Sequence, residues 1–346
     1  MSRAEPQQRR RTALPAAGAT FGILLLLAPA GLVTIARLVP GSGLAWVVLR
    51  ALTPYVVVPY GVLALLLAGL TARAAGPARL LPGVGLVVAL ALLGLHVLWA
   101  AGPFTGRVAT PVAGRTFTVL TLNLHLGHAA AGALMRAAAH EDADLLVLEE
   151  VTPTALDRLE LAGAVAAFPY RAGQALPGRD GTVVLSRHPL TSRTAVPTRS
   201  PAVRVDVRVA GDTVHLLAGH PTAPNNGVAA WRSDLQVLAE AARALPGPVL
   251  VAGDLNATVD HPPLQDLLDA GFRDAAGDAR AGWAPTWPAS GSVVLFGFRV
   301  PPLFALDHVL LRGPLRAVEV HTVTVPDTDH RALVATVSWA AGTGPG

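Results

Sequence analysis

Three long apolar stretches fill most of the first hundred residues, running roughly from Ala16 to Ala36, Ala51 to Ala72 and Leu80 to Ala101. A helix needs about 20 apolar residues to cross the hydrocarbon core of a bilayer. Each stretch reaches that length, and backbone inside lipid must satisfy its own hydrogen bonds as a helix. Three transmembrane helices are therefore expected over 16–101, behind a basic cytoplasmic tail at 1–15. Of the 346 residues, 52% are hydrophobic, more than a soluble domain carries, and these segments account for the excess.

Basic residues beside a span are retained on the cytoplasmic side. Arg3, Arg9, Arg10 and Arg11 precede the first span, and Arg73 and Arg79 lie between the second and third. Only Arg37 and Arg50 flank the other link. An N-terminus inside and three crossings place everything after about residue 102 outside, giving a multi-pass cell-membrane protein with an extracytoplasmic domain. A cleaved signal peptide also starts with basic residues and an apolar run, but here two more spans follow. The chain has no cysteine, which excludes disulfides and thiolate metal ligands, and its net charge of +4 is too small to mark nucleic-acid binding by itself.

From about Val108 the pattern changes to short apolar runs punctuated by Gly, Pro and Asp, expected as one domain over 108–340 with a flexible tail at 341–346. Strands are expected at 116–124, 143–151, 181–187, 202–209, 212–220, 249–256, 303–313 and 331–339, with helices at 129–142 and 227–245. Strands alternating with helices indicate a layered α/β architecture. Polar residues able to do metal or acid–base chemistry stand where these strands end. Asn123 follows "VLTL", Glu149 and Glu150 follow "LLVL", His220 follows "HLLAG", Asp254 follows "VLVAG" and Asp307 follows "LFAL"; Asp329 and His330 precede "RALVATV". Strand ends are where a rigid sheet positions working side chains. Asp254 and Asn256, two apart on an extended chain, are expected to project to one side; the alternative is a turn capped by Asp254 with Asn256 in a left-handed conformation.

Eight stretches in order, "LTLNL", "LLVLEEV", "GTVVLSRHPL", "AGHPTAP", "VAGDLNA", "PTW", "LDHVLL" and "TDHRAL", cover essentially all of 116–339. Together they resemble the endonuclease/exonuclease/phosphatase superfamily of metal-dependent phosphoesterases. The resemblance implies a four-layered α/β sandwich of the DNase I type and a Mg²⁺ or Mn²⁺ cofactor. It implies Glu150 as the main metal ligand, with Asn123 and Asp329 assisting. Asp254 would orient or deprotonate the attacking water, Asn256 would bind phosphoryl oxygens, and His220 and His330 would lie near the phosphate, with Asp307 pairing with His330. Glu149 stands where glutamine is common and is expected to point away from Glu150 toward an arginine. His125, His128 and His308 lie near motifs, and Arg187 is open to an anionic substrate or a structural ion pair. His96, inside the third span, is expected to reach the membrane interface.

Three spans followed by such a domain further resemble the VanJ-type membrane proteins of actinomycetes, which implies a lipid-linked phosphate substrate such as undecaprenyl pyrophosphate and a link to antibiotic resistance. The alternative is a membrane-anchored extracellular nuclease. It calls for a basic, aromatic-lined groove, whereas basic residues in the outer domain are scattered.

Overall fold

A computed structural model describes residues 27–106, 110, 112, 115–289, 291–295 and 297–340. The expected tails at 1–15 and 341–346, and the first span as far as residue 26, lie outside the described residues. The chain divides into two compact units, Met1–Ala101 and Gly102–Gly346.

The first unit is helical: α1 (Leu27–Leu38), α2 (Leu44–Ala51), α3 (Val57–Arg73) and α4 (Leu80–Ala100). With the short 3-10 turns that lead into α3 and α4, the runs Thr53–Arg73 and Gly76–Ala100 are long and apolar enough to cross a membrane. Their surfaces carry exposed Val58, Leu65, Leu81, Val87 and Leu98, side chains that water would penalise and lipid accepts. His96 does not reach an interface. It is fully buried, its Nδ1 lies 3.0 Å from the Thr53 carbonyl oxygen, and its Nε2 lies 3.0 Å from the Thr34 hydroxyl, which meets the Tyr60 hydroxyl at 2.7 Å. A polar side chain inside an apolar bundle is tolerated when its partners are also inside.

The second unit opens with a helical turn, α5 (Gly102–Thr105). Then follow β1 (Thr116–Asn123), α6 (Ala131–His140), β2 (Leu145–Glu149), α7 (Pro153–Leu161), α8 (Ala164–Ala167), β3 (Tyr170–Gln174), β4 (Thr182–Ser186) and β5 (Leu190–Val196). The chain continues through β6 (Ala202–Val209), β7 (Asp212–Ala218), α9 (Val228–Arg243), β8 (Val249–Asp254), α10 (Pro262–Asp269), β9 (Arg273–Asp274) and α11 (Ala275–Asp278). It closes with β10 (Val294–Leu295), β11 (Phe298–Arg299), β12 (Asp307–Arg312), β13 (Leu315–Thr324) and β14 (Arg331–Trp339).

Two six-stranded sheets form, ordered β13-β14-β1-β2-β4-β3 and β5-β6-β7-β8-β12-β9. Alternation on each strand decides what lies where. Val119, Val147 and Val184 of the first sheet join Val205, Leu216, Leu250 and Val309 of the second in one core between the sheets. Their neighbours Leu120, Leu122, Leu146 and Leu148 turn to the opposite face and pack with Leu134 of α6 and Leu159 of α7. On the outer face of the second sheet, α9 buries Trp231, Leu235 and Leu238, the last lying against Gly219. The result is the mixed α/β sandwich expected, with helices outside two packed sheets. Each fully buried Val or Leu is worth about 1.5–3 kcal/mol relative to exposure, so the sheets form a rigid platform. Parallel pairing of β1 with β2 and of β7 with β8 brings the ends carrying Asn123, Glu149 and Asp254 toward one side, and antiparallel β12 starts there with Asp307 opposite Asp254.

Candidate active site

Asp254 ends β8 and is 1% exposed. Its Oδ1 accepts the Asn256 backbone N–H at 2.9 Å, and its Oδ2 accepts the Asn123 side-chain amide at 3.0 Å. The ring Nε2 atoms of His220 and His330 each stand 3.5 Å from the same Oδ2. Asp254 and Asn256 therefore do not meet as residues on one face of an extended strand. The strand stops at Asp254, Asn256 takes φ +50°, and the carboxylate caps the turn. The Asn256 amide donates to the Pro221 carbonyl at 3.1 Å, tying this loop to the one that carries His220. Gly253 allows the approach, since a Cβ there would stand 2.1 Å from the Gly219 carbonyl oxygen.

His330 donates from Nδ1 to Asp307 Oδ2 at 2.8 Å and turns Nε2 toward Asp254. Burial disfavours its charge, but Asp307 and Asp254 outweigh burial and push its pKa up to about 10. His220 is raised in the same sense: burial opposes the charge, and the hydrogen bond and charge of Asp254 overcome it. Its Nδ1 donates to the Arg179 carbonyl at 3.2 Å, which leaves Nε2 for the site. Burial alone would raise Asp254, yet the two imidazoliums and the Asn123 amide hold it well below the usual carboxylate range.

Glu150 leaves the strand at φ +54° and is 7% exposed. Its Oε2 accepts the Leu126 N–H at 2.6 Å, while Oε1 lies 4.0 Å from His220 Nε2 and 3.9 Å from Arg179 Nε. Asn123 Oδ1 accepts the His125 N–H at 2.9 Å, and Thr328 donates to the Asn123 carbonyl at 2.7 Å. One carboxylate and one amide oxygen form the sparse oxygen set that suits a hard divalent ion retaining its waters. Asp254, Asp307 and His330 also have donor atoms within 4.8 Å of one another. In that trio His330 Nδ1 is already engaged by Asp307, which leaves its Nε2 to face the site. Asp329 is turned elsewhere, its Oδ1 2.7 Å from His125 Nδ1 and its Oδ2 accepting the Trp287 indole N–H at 3.3 Å.

Several sequence expectations need correction. Among the described residues Glu149 has no arginine partner; it is fully buried between the sheets and accepts from the Thr121 hydroxyl at 3.1 Å. Burial first, then the charges of Asp307 and Asp254, raise its pKa well above the ordinary value. His308 is 2% exposed and spends both ring nitrogens on Asp274 and the Ala257 and Ala305 carbonyls, out of reach of substrate. Arg187 pairs with Asp142 and covers the Phe168 ring, a structural role. His125 and His128 stay at the rim with ring centroids 5.5 Å apart. Residues not anticipated are Thr286, whose hydroxyl accepts the Leu306 and Asp307 N–H groups, Arg179, and Trp287. "PTW" was the visible signal for two of them; nothing in the sequence singles out Arg179.

The family model described as "Endonuclease/Exonuclease/phosphatase family" matches residues 120–330. The chain belongs to this family. Endonuclease/exonuclease/phosphatase enzymes are metal-dependent hydrolases of phosphoric esters, and the chain is an enzyme of that class. Among solved structures, TDP2 of D. rerio in complex with a single-strand DNA product superposes with a TM-score of 0.55 at 17% identity, over 64% of this chain and 99% of that one. TDP2 of Caenorhabditis elegans gives 0.53 at 17% identity, over 64% and 98%. An endonuclease/exonuclease/phosphatase from Beutenbergia cavernae gives 0.50 at 19% identity, over 65% and 72%. These likenesses are of fold. Comparison with curated protein sequences finds no match.

Proposed function

We propose that the chain is a membrane-anchored phosphohydrolase that acts on a lipid-linked phosphate, of the polyprenyl pyrophosphate class, at the outer face of the cell membrane. The observation that carries this reading is the joining, in one chain, of bilayer-length apolar helices ending at Ala100 to a phosphoesterase domain beginning two residues later. Anchoring an enzyme in the plane of its substrate raises the effective concentration of that substrate. The arginine distribution and the first apolar stretch support three spans with the domain outside.

In this reading Asp254, held ionised, orients the attacking water and takes its proton. Asn256 fixes the loop around it and faces the phosphoryl oxygens, and His330, held cationic by Asp307, meets the charge that develops on them. His220, whose Nε2 stands 3.5 Å from the same Asp254 oxygen as His330, would face the leaving group. Glu150 and Asn123 would hold a Mg²⁺ or Mn²⁺ ion, which when bound supplies Lewis-acid polarisation of the phosphoryl group, while Asp329, engaged by His125 and Trp287, stands outside that set. Phosphate release by the purified full chain from polyprenyl pyrophosphate, phosphatidyl lipids, inositol phosphates and DNA tests the substrate. Preference for the lipid pyrophosphate supports the reading; cleavage of DNA alone makes the protein an anchored nuclease.

A further inference from the structure

Most large apolar side chains of the second unit are buried, and those left exposed are not scattered. Seven are exposed among its described residues, and five of them, Phe104, Trp283, Val294, Leu295 and Phe298, belong to the chain's entry into this unit and to one run before β12. Val294, Leu295 and Phe298 are 60%, 57% and 78% exposed on the hairpin β10–β11, in which Val294 pairs with Arg299 and Leu295 with Phe298. Such a short two-stranded ribbon buries almost nothing of its own, and a clustered exposed apolar patch marks an interaction surface.

The hairpin is rooted at the candidate active site. Phe304 donates to the Trp287 carbonyl at 2.7 Å and Trp287 donates back at 2.9 Å, closing its base with the two rings stacked. From that base the Trp287 indole reaches Asp329, the Ala289 N–H reaches the Asp329 carbonyl at 2.6 Å, and Thr286 holds the start of β12 at Asp307. The same run is tied to the segment that leaves the last bilayer-length helix: Gly282 donates to the Pro103 carbonyl at 3.0 Å, beside Phe104. The stretch "GSVVLFGFRV" at 291–300 contains no carboxylate, and Arg299 is its single charge. Apolar and aromatic side chains with a flanking arginine match the boundary between acyl chains and anionic headgroups.

We infer that the β10–β11 hairpin dips into the surface of the lipid bilayer and holds the mouth of the site against it, so that a phosphate reaches the site from the headgroup layer and not from bulk water. This rests on the lipid-phosphate reading above and adds the surface that delivers the substrate. Because the chain has no cysteine, single labels can be placed cleanly. Leu295→Cys in the full chain, carrying an environment-sensitive fluorophore and assembled one copy per nanodisc of phosphatidylethanolamine and phosphatidylglycerol, is expected to shift to the blue and to be quenched by spin labels on the acyl chains. Leu161→Cys, at a position 89% exposed on α7, is expected to stay water-like. A Leu295 label as open to aqueous iodide as the Leu161 label overturns the inference.

A second measurement guards against a label that perturbs the loop. Val294→Ser, Leu295→Ser and Phe298→Ser combined are expected to slow hydrolysis of the lipid pyrophosphate in proteoliposomes about tenfold, because the chain stays anchored but the mouth of the site is no longer held against the headgroup layer, while leaving a water-soluble phosphodiester unaffected. Equal loss on both substrates, or on neither, overturns the inference. If the wild type ignores the lipid substrate while the Leu295 label is lipid-buried, the substrate reading fails and the hairpin inference stands; the converse pattern rejects the hairpin alone.

Discussion

Replacing Asp307 by Asn tests the electrostatics of the site in a way that separates charge from shape. The amide keeps the volume at a position 2% exposed and removes the charge 2.8 Å from His330 Nδ1. His330 rises from 6.5 to about 10, which at 1.36 kcal/mol per unit is about 5 kcal/mol favouring the imidazolium. Asp307 is the largest of the raising influences and Asp254 the next. Removing that charge while the burial remains is expected to lower the His330 pKa well below its wild-type value. The assay is the pH profile of kcat/KM on a water-soluble phosphodiester, whose alkaline limb reports the essential acid of the free enzyme. The wild-type limb is expected near pH 10, and the variant limb at distinctly lower pH. Folding stability should follow the same group: with a raised folded pKa, His330 contributes fully below about pH 6.5 and loses its contribution as pH rises through about 10, a window that contracts in the variant. An alkaline limb left in place, or a loss of rate uniform across pH, would refute the assignment of Asp307 to His330.

Glu149→Gln should raise the melting temperature at pH 8 more than at pH 5, because a buried acid with a raised pKa costs stability once the unfolded state ionises above about pH 4.5; equal destabilisation at both pH values contradicts this. Glu150→Gln is expected to abolish the rise in melting temperature that Mn²⁺ gives the wild type, read by thermal unfolding with and without chelator; a rise that persists moves the metal elsewhere. In the helical unit, His96→Ala strands the Thr53 carbonyl and should cost about 1–3 kcal/mol, measured as thermal stability in detergent; an unchanged transition would mean that the Thr34–His96–Thr53 bonds carry no net stability.

Much of the second unit is legible because its central strands carry two signals at once, an apolar run and a polar residue at the end. β1, β2 and β8 are found within two residues of their boundaries for that reason. The edge strands β3 and β5 are not, since "YRAGQ" and the exposed middle of "LTSRTAV" lack a continuous buried face. β13 is obscured differently: a bulge between Ala317 and Glu319 breaks its alternation. The site residues are legible as a set, and one pairing, Asp307 with His330, is legible too; the backbone turns that carry Asn256 and Glu150 are less so. Extended-chain geometry explains neither the turn after Asp254 nor the left-handed Glu150, because Asn256 and Glu150 take positive φ and leave the extended path. Glu149 shows the same limit: its place between two sheets depends on β8, a hundred residues later in the sequence, and no local pattern announces it.

The central claim is that the cluster of Asp254, His220, His330 and Asp307 hydrolyses a membrane-borne phosphoric ester with a divalent ion held near Glu150. Its most direct test is phosphate release from polyprenyl pyrophosphate in proteoliposomes by the full chain with Mg²⁺ or Mn²⁺, before and after chelation, beside Asp254→Ala folded to the same melting temperature. Release that stops on chelation and falls at least about a thousandfold in the variant, as expected when a general base and its charge network are lost, is the result predicted. Equal release by wild type and Asp254→Ala, or release indifferent to chelator, would contradict it.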